Sequence, residues 1–413
     1  MSLCVAAGVY LLLTISGCDK HNASKFYTYT LYKPVLALKS TVLANLNGDA
    51  GKKIDAAGKI YRKDPWLFVN DIDKGIHIID NSDPRHPAQV AFLSIPGNQD
   101  IAVRGNILYA DMYTDLLAID ISDPHHVKLI GDLPHTFPYR YYVNGTVMDS
   151  LHVATDWIKK DTTVIVSTQP INPGGVCVNC LYSAESLAPS AGKSSGTGGS
   201  MARMTLIDDH LYAIAEPHSL SSISLNNSGV PALASNQYIG FDLETIFPFQ
   251  DKLFLGSKEG VYMFGISDHP DKPVSLGQFL HGRSCDPVVT DGNYAYITLH
   301  EGTMCGGASN ELDVVNIQDP AHPGVAKIYP MTKPQGLSKD GNLLFVCDST
   351  SGVKLFDASD PQALRSIAKI GKGSPYDVIA GGNRLLVVDA TGLYQYDYSN
   401  TRQIDLLSFF PVK

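Results

Sequence analysis

A short pattern recurs along this chain and restricts what it can fold into: an apolar strand ending in Asp, followed by Ser-Asp-Pro. It appears as GIHIIDNSDP, as DLLAIDISDP and as VKLFDASDP, beginning at Gly75, Asp115 and Val353. Ser82 and Ser122 are 40 residues apart, as are Ser359 and Ser399. Repeats of this length that consist of alternating short strands are typical of β-propeller blades with about four strands each. We therefore predict an all-β propeller.

The number of blades follows from counting one strand of the repeat. A run such as WLFVND or ILYADM occurs eight times, beginning at Trp66, Ile107, Leu151, Leu211, Leu253, Ala295, Leu344 and Leu385. Eight blades are the first expectation, and seven the alternative if the repeat at Leu151 or at Leu211 is incomplete. KIDAAGKIYRKD is the first inner strand and QIDLLSFF the last outer strand. The ring then closes by packing of the two end blades.

The Ser-Asp-Pro motif has a local explanation. An Asp side chain in a turn accepts hydrogen bonds from nearby backbone amides, while Pro presets φ and removes a strand donor. Asp80, Asp120 and Asp357 close the third strand of their repeats. We interpret the motif as part of the scaffold. Histidines beside these turns are expected on the opposite face in solvent, namely His86, His125, His126 and His322.

The first residues have the features of an export signal. Cys4 to Ile15 is an apolar stretch of 12 residues, too short to span a bilayer, and Ile15-Ser16-Gly17-Cys18 follows it. This resembles the lipobox of bacterial lipoproteins, which implies acylation of Cys18. We divide the chain into a signal peptide (1–17), a tether (18–50) and one propeller domain (51–413) with an insertion at about 169–200. The expected location is the cell envelope, anchored at the outer membrane.

Three longer segments resemble a known family. GIHIIDNSDP, GNILYADMYTDLLAIDISDP and LLFVCDSTSGVKLFDASDP are similar to the LVIVD-repeat family of secreted bacterial proteins. GTGGSMARMTLIDDHLYAI and CGGASNELDVVNIQDP resemble its Bacteroidetes-type lipoproteins. The resemblance implies a β-propeller on the cell envelope, and it implies no catalytic residue.

Charged side chains cluster at one predicted face. In a propeller, the ends of the second strands and the starts of the inner strands meet around the channel mouth, where loops can carry function. The candidate ligand-binding residues there are Asp71, Asp100, Asp111, Arg140, Asp156, Arg203, Glu216, His300, Asp348, Asp377 and Asp389. Clustered carboxylates suit a divalent cation or a cationic group. The alternative is that each Asp caps its own turn.

Aromatic residues are expected beside these carboxylates. The stretch HTFPYRYYV supplies four of them, and two others should lie nearby: Phe137, Tyr139, Tyr141, Tyr142, Trp157 and Tyr376. Aromatic rings beside carboxylates suit a sugar or a basic peptide. The alternative is packing between blades.

Five further cysteines follow the export signal. Cys285 and Cys305 lie at the same end of one predicted hairpin, and Cys177 and Cys180 lie in the insertion. Disulfides persist outside the cytoplasm, so all four are disulfide candidates. A zinc half-site or a redox pair is the alternative for Cys177 and Cys180. Cys347 reads as a buried apolar residue, and the Gly/Ser-rich stretch Ala188–Ser200 as a flexible loop.

These observations favour a binding function over a catalytic one. The expected ligand at the channel mouth is an unknown protein, peptide or glycan, or a small polar molecule, and the membrane is contacted through the lipid anchor. A net charge of −9 and the lack of a basic stripe argue against nucleic acid. No cofactor is expected apart from a bound divalent cation. An envelope hydrolase or lyase using mouth carboxylates and His300 is the alternative, and a scaffold subunit is a third.

Overall fold

The computed structural model describes residues 25–166, 193–194, 196–281, 287–301 and 309–412. These residues belong to two compact units. The described part of the smaller unit consists of residues 25–33 and 158–166. The larger unit contains residues 34–157 and all described residues from 193 onwards.

Seven antiparallel sheets build the larger unit, and each contains four strands from one continuous stretch of the repeat. We call these sheets blades 1 to 7 and their strands inner, second, third and outer, in chain order. The inner strands of successive blades lie against one another, which places them around a central axis. The prediction of four-stranded propeller blades is therefore confirmed. The number of blades is seven, which was the alternative expectation, and not eight.

The strands of the first four blades are these. Blade 1 contains Ala57–Lys63, Trp66–Asp71, Gly75–Asp80 and Ala88–Ser94. Blade 2 contains Ile101–Arg104, Ile107–Met112, Asp115–Asp120 and Lys128–Leu133. Blade 3 contains Met204–Ile207, His210–Glu216, Ser219–Leu225 and Pro231–Tyr238. Blade 4 contains Leu243–Phe249, Lys252–Ser257, Gly260–Gly265 and Val274–Leu280.

The last three blades complete the ring. Blade 5 contains Val288–Thr290, Tyr294–Leu299, Glu311–Asn316 and Gly324–Pro330. Blade 6 contains Leu337–Asp340, Leu343–Cys347, Val353–Asp357 and Arg365–Ile370. Blade 7 contains Asp377–Gly381, Arg384–Asp389, Gly392–Asp397 and Asp405–Pro411.

Blades 7 and 1 close the ring by direct packing. Arg62 Nη1 donates to the carbonyl oxygen of Gly381 at 2.6 Å, and Tyr376 Oη donates to that of Ala57 at 2.6 Å. Ile60 of blade 1 and Ile379 of blade 7 belong to one buried apolar cluster. The end blades thus meet as the sequence predicts, because each of them buries an apolar face against the other.

The repeat at Leu151 is the one that does not form a blade. Its residues form a single strand, His152–Val166, paired with the strand Lys25–Leu38 in a two-stranded sheet. The blades turn sharply after the second strand, as at Tyr113, where φ is 52°. The corresponding stretch here, WIKKD, has no such turn, and the two apolar runs LHVATD and TTVIVS continue as one long strand.

The Ser-Asp-Pro motif forms local turns on the face opposite the mouth. Asp80 Oδ1 accepts from the backbone N–H of Ser82 at 2.8 Å, and Asp83 Oδ1 accepts from that of Arg85 at 2.9 Å. Asp83 Oδ2 lies 2.8 Å from Nδ1 of the exposed His86. The turns at Asp120 and Asp357 have the same geometry. The scaffold interpretation of the motif is confirmed.

Short elements connect these parts. They are the α-helix Lys39–Leu43, the 3₁₀-helices Pro138–Tyr141 and Ser349–Ser351, and the strand pairs Tyr142–Val143 with Thr146–Val147 and Lys193–Ser194 with Gly196–Gly198. None of the helices in the described residues combines the length and apolar character that a membrane crossing needs.

Candidate functional site

The predicted channel mouth exists as one face of the propeller, which we call the mouth face. Asp111 lies near the end of the second strand of blade 2, and its Oδ1 accepts from the backbone N–H groups of Gln99 and Asp100 at 2.8 and 2.7 Å. Gln99 and Asp100 lead into the inner strand of the same blade. Ends of second strands and starts of inner strands therefore lie side by side, as the propeller geometry predicts.

Most of the predicted mouth carboxylates hold loops in place. Asp71 accepts from the backbone N–H of Ala56 at 2.9 Å, and Asp348 accepts from that of Lys333 at 2.8 Å. In both cases the donor lies in the segment that enters the inner strand. Asp389 instead accepts from the N–H of Thr391 at 2.7 Å. All these carboxylates are buried, so loop capping accounts for them.

Asp100 joins three blades. Its Oδ2 lies 2.8 Å from Nζ of the buried Lys59 in blade 1. The same oxygen accepts from the backbone N–H groups of Arg203 and Met204, at the start of blade 3, at 2.7 and 3.1 Å. Burial lowers the pKa of Lys59, and Asp100 opposes that effect. This buried ion pair connects blades 1 and 2, and removing one partner would leave the other charge buried without compensation.

Arg140 binds two carboxylates on the mouth face. Its Nη2 lies 3.0 Å from Oδ1 of Asp73, and its Nη1 lies 3.3 Å from Oδ2 of Asp111. The guanidinium is also 5.5 Å from the ring centre of Tyr113. Burial raises the pKa of Asp111 to about 6, against the charge of Arg140. Asp111 is therefore mostly ionised at neutral pH.

The end of the insertion lies in the central channel. The strand Gly196–Gly198 pairs with the inner strand of blade 1, on the side away from its second strand. Ser200 Oγ accepts from the N–H of Leu337 in blade 6 at 2.7 Å, and the carbonyl oxygen of Ala202 accepts from Ile246 in blade 4 at 2.7 Å. We call residues 196–202 the channel segment. Residues 196–200 of the expected loop thus pair with blade 1 and bond blade 6, whereas its residues 188–192 and 195 lie outside the described part of the chain.

Asp377 faces the channel segment from blade 7. Its Oδ1 accepts from the N–H of Ser200 at 3.2 Å and of Val378 at 2.9 Å. Its Oδ2 has no hydrogen-bond partner among the described residues. A Cβ atom on Gly199 would lie 1.9 Å from this oxygen, so a larger residue here would displace the carboxyl group of Asp377. Burial raises the pKa of Asp377 to about 8, and its carboxyl group is therefore mostly protonated at neutral pH.

The other predicted site residues have local contacts. Asp156 is exposed and accepts from the N–H of Trp157 at 2.8 Å. Glu216 Oε2 lies 3.8 Å from Nδ1 of His218. The guanidinium of Arg203 lies 4.5 Å from the ring centre of Tyr139. Burial lowers the pKa of His300, and the charge of Lys333 lowers it further. Asp100, Asp111 and Arg140 are thus connected, and the backbone N–H of Arg203 joins them through Asp100.

The predicted aromatic residues divide into two groups. Phe137 is buried, and Tyr376 bonds the backbone of blade 1, as inter-blade packing requires. Tyr139 and Trp157 are half-buried and pack against the core. Tyr141 and Tyr142 project into solvent. Only the last two are placed to contact a ligand from solution.

A second exposed aromatic group was missed by the sequence reasoning. Tyr238 ends the outer strand of blade 3 and stacks on His218, and Phe241 lies between that strand and the inner strand of blade 4. The signal was present in YIGFD, because the residues between an outer strand and the next inner strand lie on the mouth face.

Several predicted sites lie outside the described residues. Cys18, Cys177, Cys180, Cys285 and Cys305 are all among them, so the acylation and disulfide predictions remain predictions. Cys347 is buried, as predicted, and burial raises the pKa of its thiol. In the described part of the chain, no group of three or more His, Cys, Asp or Glu side chains could hold a metal ion.

Comparison with solved structures shows the fold. The chain is similar to a putative 6-phosphogluconolactonase from Bacteroides uniformis, with a TM-score of 0.55, 12% identity, and coverage of 87% of this chain and 97% of that one. It is also similar to the periplasmic gluconolactonase of Pseudomonas aeruginosa (TM-score 0.51, 12% identity, 86% and 96% coverage). The third is Sqt1 of Saccharomyces cerevisiae (TM-score 0.51, 11% identity, 89% and 87% coverage). At such identities the likeness extends to the fold alone.

Comparison with sequence families identifies the repeat. No curated protein matches the chain. The LVIVD repeat matches residues 57–91, 97–133 and 282–330. The first two stretches correspond to blades 1 and 2, and the third includes blade 5. The chain is therefore a seven-bladed β-propeller that carries LVIVD repeats.

Proposed function

We propose that this protein is a lipid-anchored β-propeller of the cell envelope, located at the outer membrane, that binds a protein partner or a small polar ligand on its mouth face. One observation supports this more than any other. The mouth face presents exposed aromatic rings, Tyr141, Tyr142, Tyr238 and Phe241, on loops between blades. Exposed apolar rings on a built surface are typical of binding sites.

Binding is preferred to catalysis because of how the carboxylates are used. A hydrolase or lyase needs an acid and a base that converge on one substrate atom. Asp71, Asp111 and Asp348 are buried and accept backbone N–H groups, so they are not available as such a pair. The anchoring part of the proposal rests on Ile15-Ser16-Gly17-Cys18 and its resemblance to a lipobox.

Site-specific photo-crosslinking in intact cells tests the binding face. A benzophenone amino acid replaces Tyr141 on the mouth face in one variant and the exposed His126 on the opposite face in its matched control. We expect a discrete crosslinked species from Tyr141 and none from His126. Crosslinks from His126 alone, or none at several mouth positions, would rule out the mouth face as the binding surface.

The anchor is tested separately. Replacing Cys18 with Ser removes the only thiol that the lipobox presents for acylation. We expect the variant to leave the membrane fraction and to lose labelling by an alkyne fatty acid. Retention of both properties would contradict the lipoprotein assignment while leaving the binding proposal intact.

A further inference from the structure

Four aromatic side chains form a compact group on the mouth face between blades 3 and 4: His218, Tyr238, Phe241 and Tyr262. The rings of Tyr238 and His218 are stacked, with centroids 5.9 Å apart and an interplanar angle of 27°. The rings of Tyr238 and Phe241 meet edge to face at 5.9 Å and 83°. Tyr238 is 63% exposed and Phe241 62% exposed. Two ring faces at right angles are therefore open to solvent.

The backbone holds these rings in place. The N–H of Ile239 donates to the carbonyl oxygen of His218 at 2.9 Å, and the N–H of Leu243 donates to that of Pro217 at 2.7 Å. Gly240 lies against the ring of Tyr262, where a Cβ atom would be 2.4 Å from the Tyr262 hydroxyl oxygen. A ligand that binds here meets rings that are already positioned, so little ordering entropy is lost.

The surroundings of the rings are acidic. The carboxylate of Glu216 lies 3.8 Å from Nδ1 of His218. The pKa of Tyr262 is raised, mainly by burial and to a smaller extent by the negative charge of Glu259. The nearby cation Lys258 lies 3.6 Å from the carboxylate of Glu244, so its charge is largely compensated there. Aromatic faces carry negative quadrupole charge, and carboxylates next to them add to the attraction for a cation.

We propose that this aromatic cluster binds a positively charged Lys or Arg side chain of a protein or peptide partner. The inference rests on the proposed function, because it names the chemistry that the mouth face would recognise. A neutral sugar could stack on the same rings, but it would gain nothing from the charge of Glu216 and Glu259. Charge complementarity therefore favours the cation.

The test uses two synthetic peptides and the full chain. Acetyl-Gly-Arg-Gly-Arg-Gly-amide is compared with the same peptide carrying citrulline, which keeps the shape of Arg and removes its charge. We expect the citrulline peptide to bind about tenfold more weakly in calorimetry or saturation-transfer NMR, the change that roughly 1–2 kcal/mol of cation–π attraction produces. Binding of the Arg peptide should also weaken at high salt.

Variants assign the binding to the cluster. Phe241→Ala and Tyr238→Ala should each weaken binding of the Arg peptide by about tenfold. Glu259→Gln should weaken its binding by a smaller factor. Phe409→Ala is the matched control, since it removes a 44% exposed ring from the outer strand of blade 7 and should leave the binding of the Arg peptide unchanged. All these side chains are surface-accessible, and circular dichroism confirms that each variant is folded.

Three results would overturn the inference. Equal binding of the Arg and citrulline peptides would show that the charge does not contribute, and equal effects of Phe241→Ala and Phe409→Ala would show that the peptide does not bind at the cluster. Binding of neutral oligosaccharides at Tyr238, with no binding of the Arg peptide, would make the ligand a glycan. In each case a crosslink from Tyr141 would still support ligand binding on the mouth face, so the two proposals fail separately.

Discussion

The aspartates of the two propeller faces differ in what they bind. On the face opposite the mouth, Asp120 and Asp357 are solvent-accessible and accept from the amides of Ser122 and Ser359, two residues away. Hydrogen bonds from Ser359, and then Arg365, lower the pKa of Asp357 to about 2. On the mouth face, burial raises the pKa of Asp111 to about 6 and of Asp377 to about 8.

This difference comes from the range of the contacts. A turn supplies its own amides, so its aspartate stays in water and gains hydrogen bonds at little cost. Asp100 and Asp377 instead bond groups from other blades and from the channel segment, which removes them from water. Aspartate therefore shapes single turns on one face, whereas on the mouth face it holds loops and, at Asp100 and Asp377, connects separate parts of the ring.

Replacing Asp100 should have the largest effect on stability. Asp100→Ala leaves the buried ammonium group of Lys59 without its partner, and we expect a loss of about 3–5 kcal/mol in the free energy of unfolding. Denaturant unfolding followed by circular dichroism measures this loss. The double variant Lys59→Met, Asp100→Leu should recover much of it. If Asp100→Ala is no worse than a turn variant, cross-blade pairing does not distinguish the faces.

Filling the space at Gly199 should have the next largest effect. Gly199→Val would place side-chain atoms against the carboxyl group of Asp377, and overpacking of this kind costs about 1–3 kcal/mol. Gly324→Val is the matched control, because a Cβ atom there meets no other atom within 4 Å. Gly105 also has open space around it, but its φ of 56° would strain any other residue, so it does not serve as a control. Unchanged stability of Gly199→Val would show that the channel segment does not support the ring.

The pH dependence of stability should reveal Asp377. Its pKa is raised on folding, so the folded state holds the proton more tightly and stability falls as pH increases from about 4 towards about 8. The slope is at most about 1.4 kcal/mol per pH unit for one group. Asp377→Asn should reduce this slope above about pH 7, where Asp111, with a pKa of about 6, is mostly ionised. An identical slope in the variant would mean that Asp377 is ionised at neutral pH.

Removing a turn aspartate should have the smallest effect. Asp120→Ala deletes one exposed hydrogen bond, and surface changes of this kind stay within about 0.5 kcal/mol. The same denaturant measurement applies, with wild type as the reference. A loss of unfolding free energy as large as that of Asp100→Ala would show that aspartates on the two faces contribute equally to stability.

The sequence predicted the parts of the fold that depend on neighbouring residues. Strand alternation and a period near forty gave the four-stranded blade, and Asp-Pro chemistry gave the turns at Asp80 and Asp120. It did not separate seven blades from eight, because the run at Leu151 has the same apolar pattern as a second strand.

The sequence predicted where the candidate site residues lie, but not which partners their side chains bind. Their positions at the ends of predicted strands placed Asp111, Asp100 and Asp377 on the mouth face. The sequence also allowed that these aspartates cap turns and bind no ligand. The sequence could not show that Asp100 would pair with Lys59, since 41 residues separate them. Nor could it show that Ser200 would reach Asp377 from the insertion, 177 residues away in the chain.

Local chemistry is therefore what the sequence by itself determined: strands, turns, and the face on which each loop emerges. Only the tertiary structure decided which aspartates leave water, which loops cross into the channel, and which aromatic rings stay exposed. The physical reason is that turn hydrogen bonds and strand alternation act over a few residues. Burial and ion pairing depend instead on which blades meet when the ring closes.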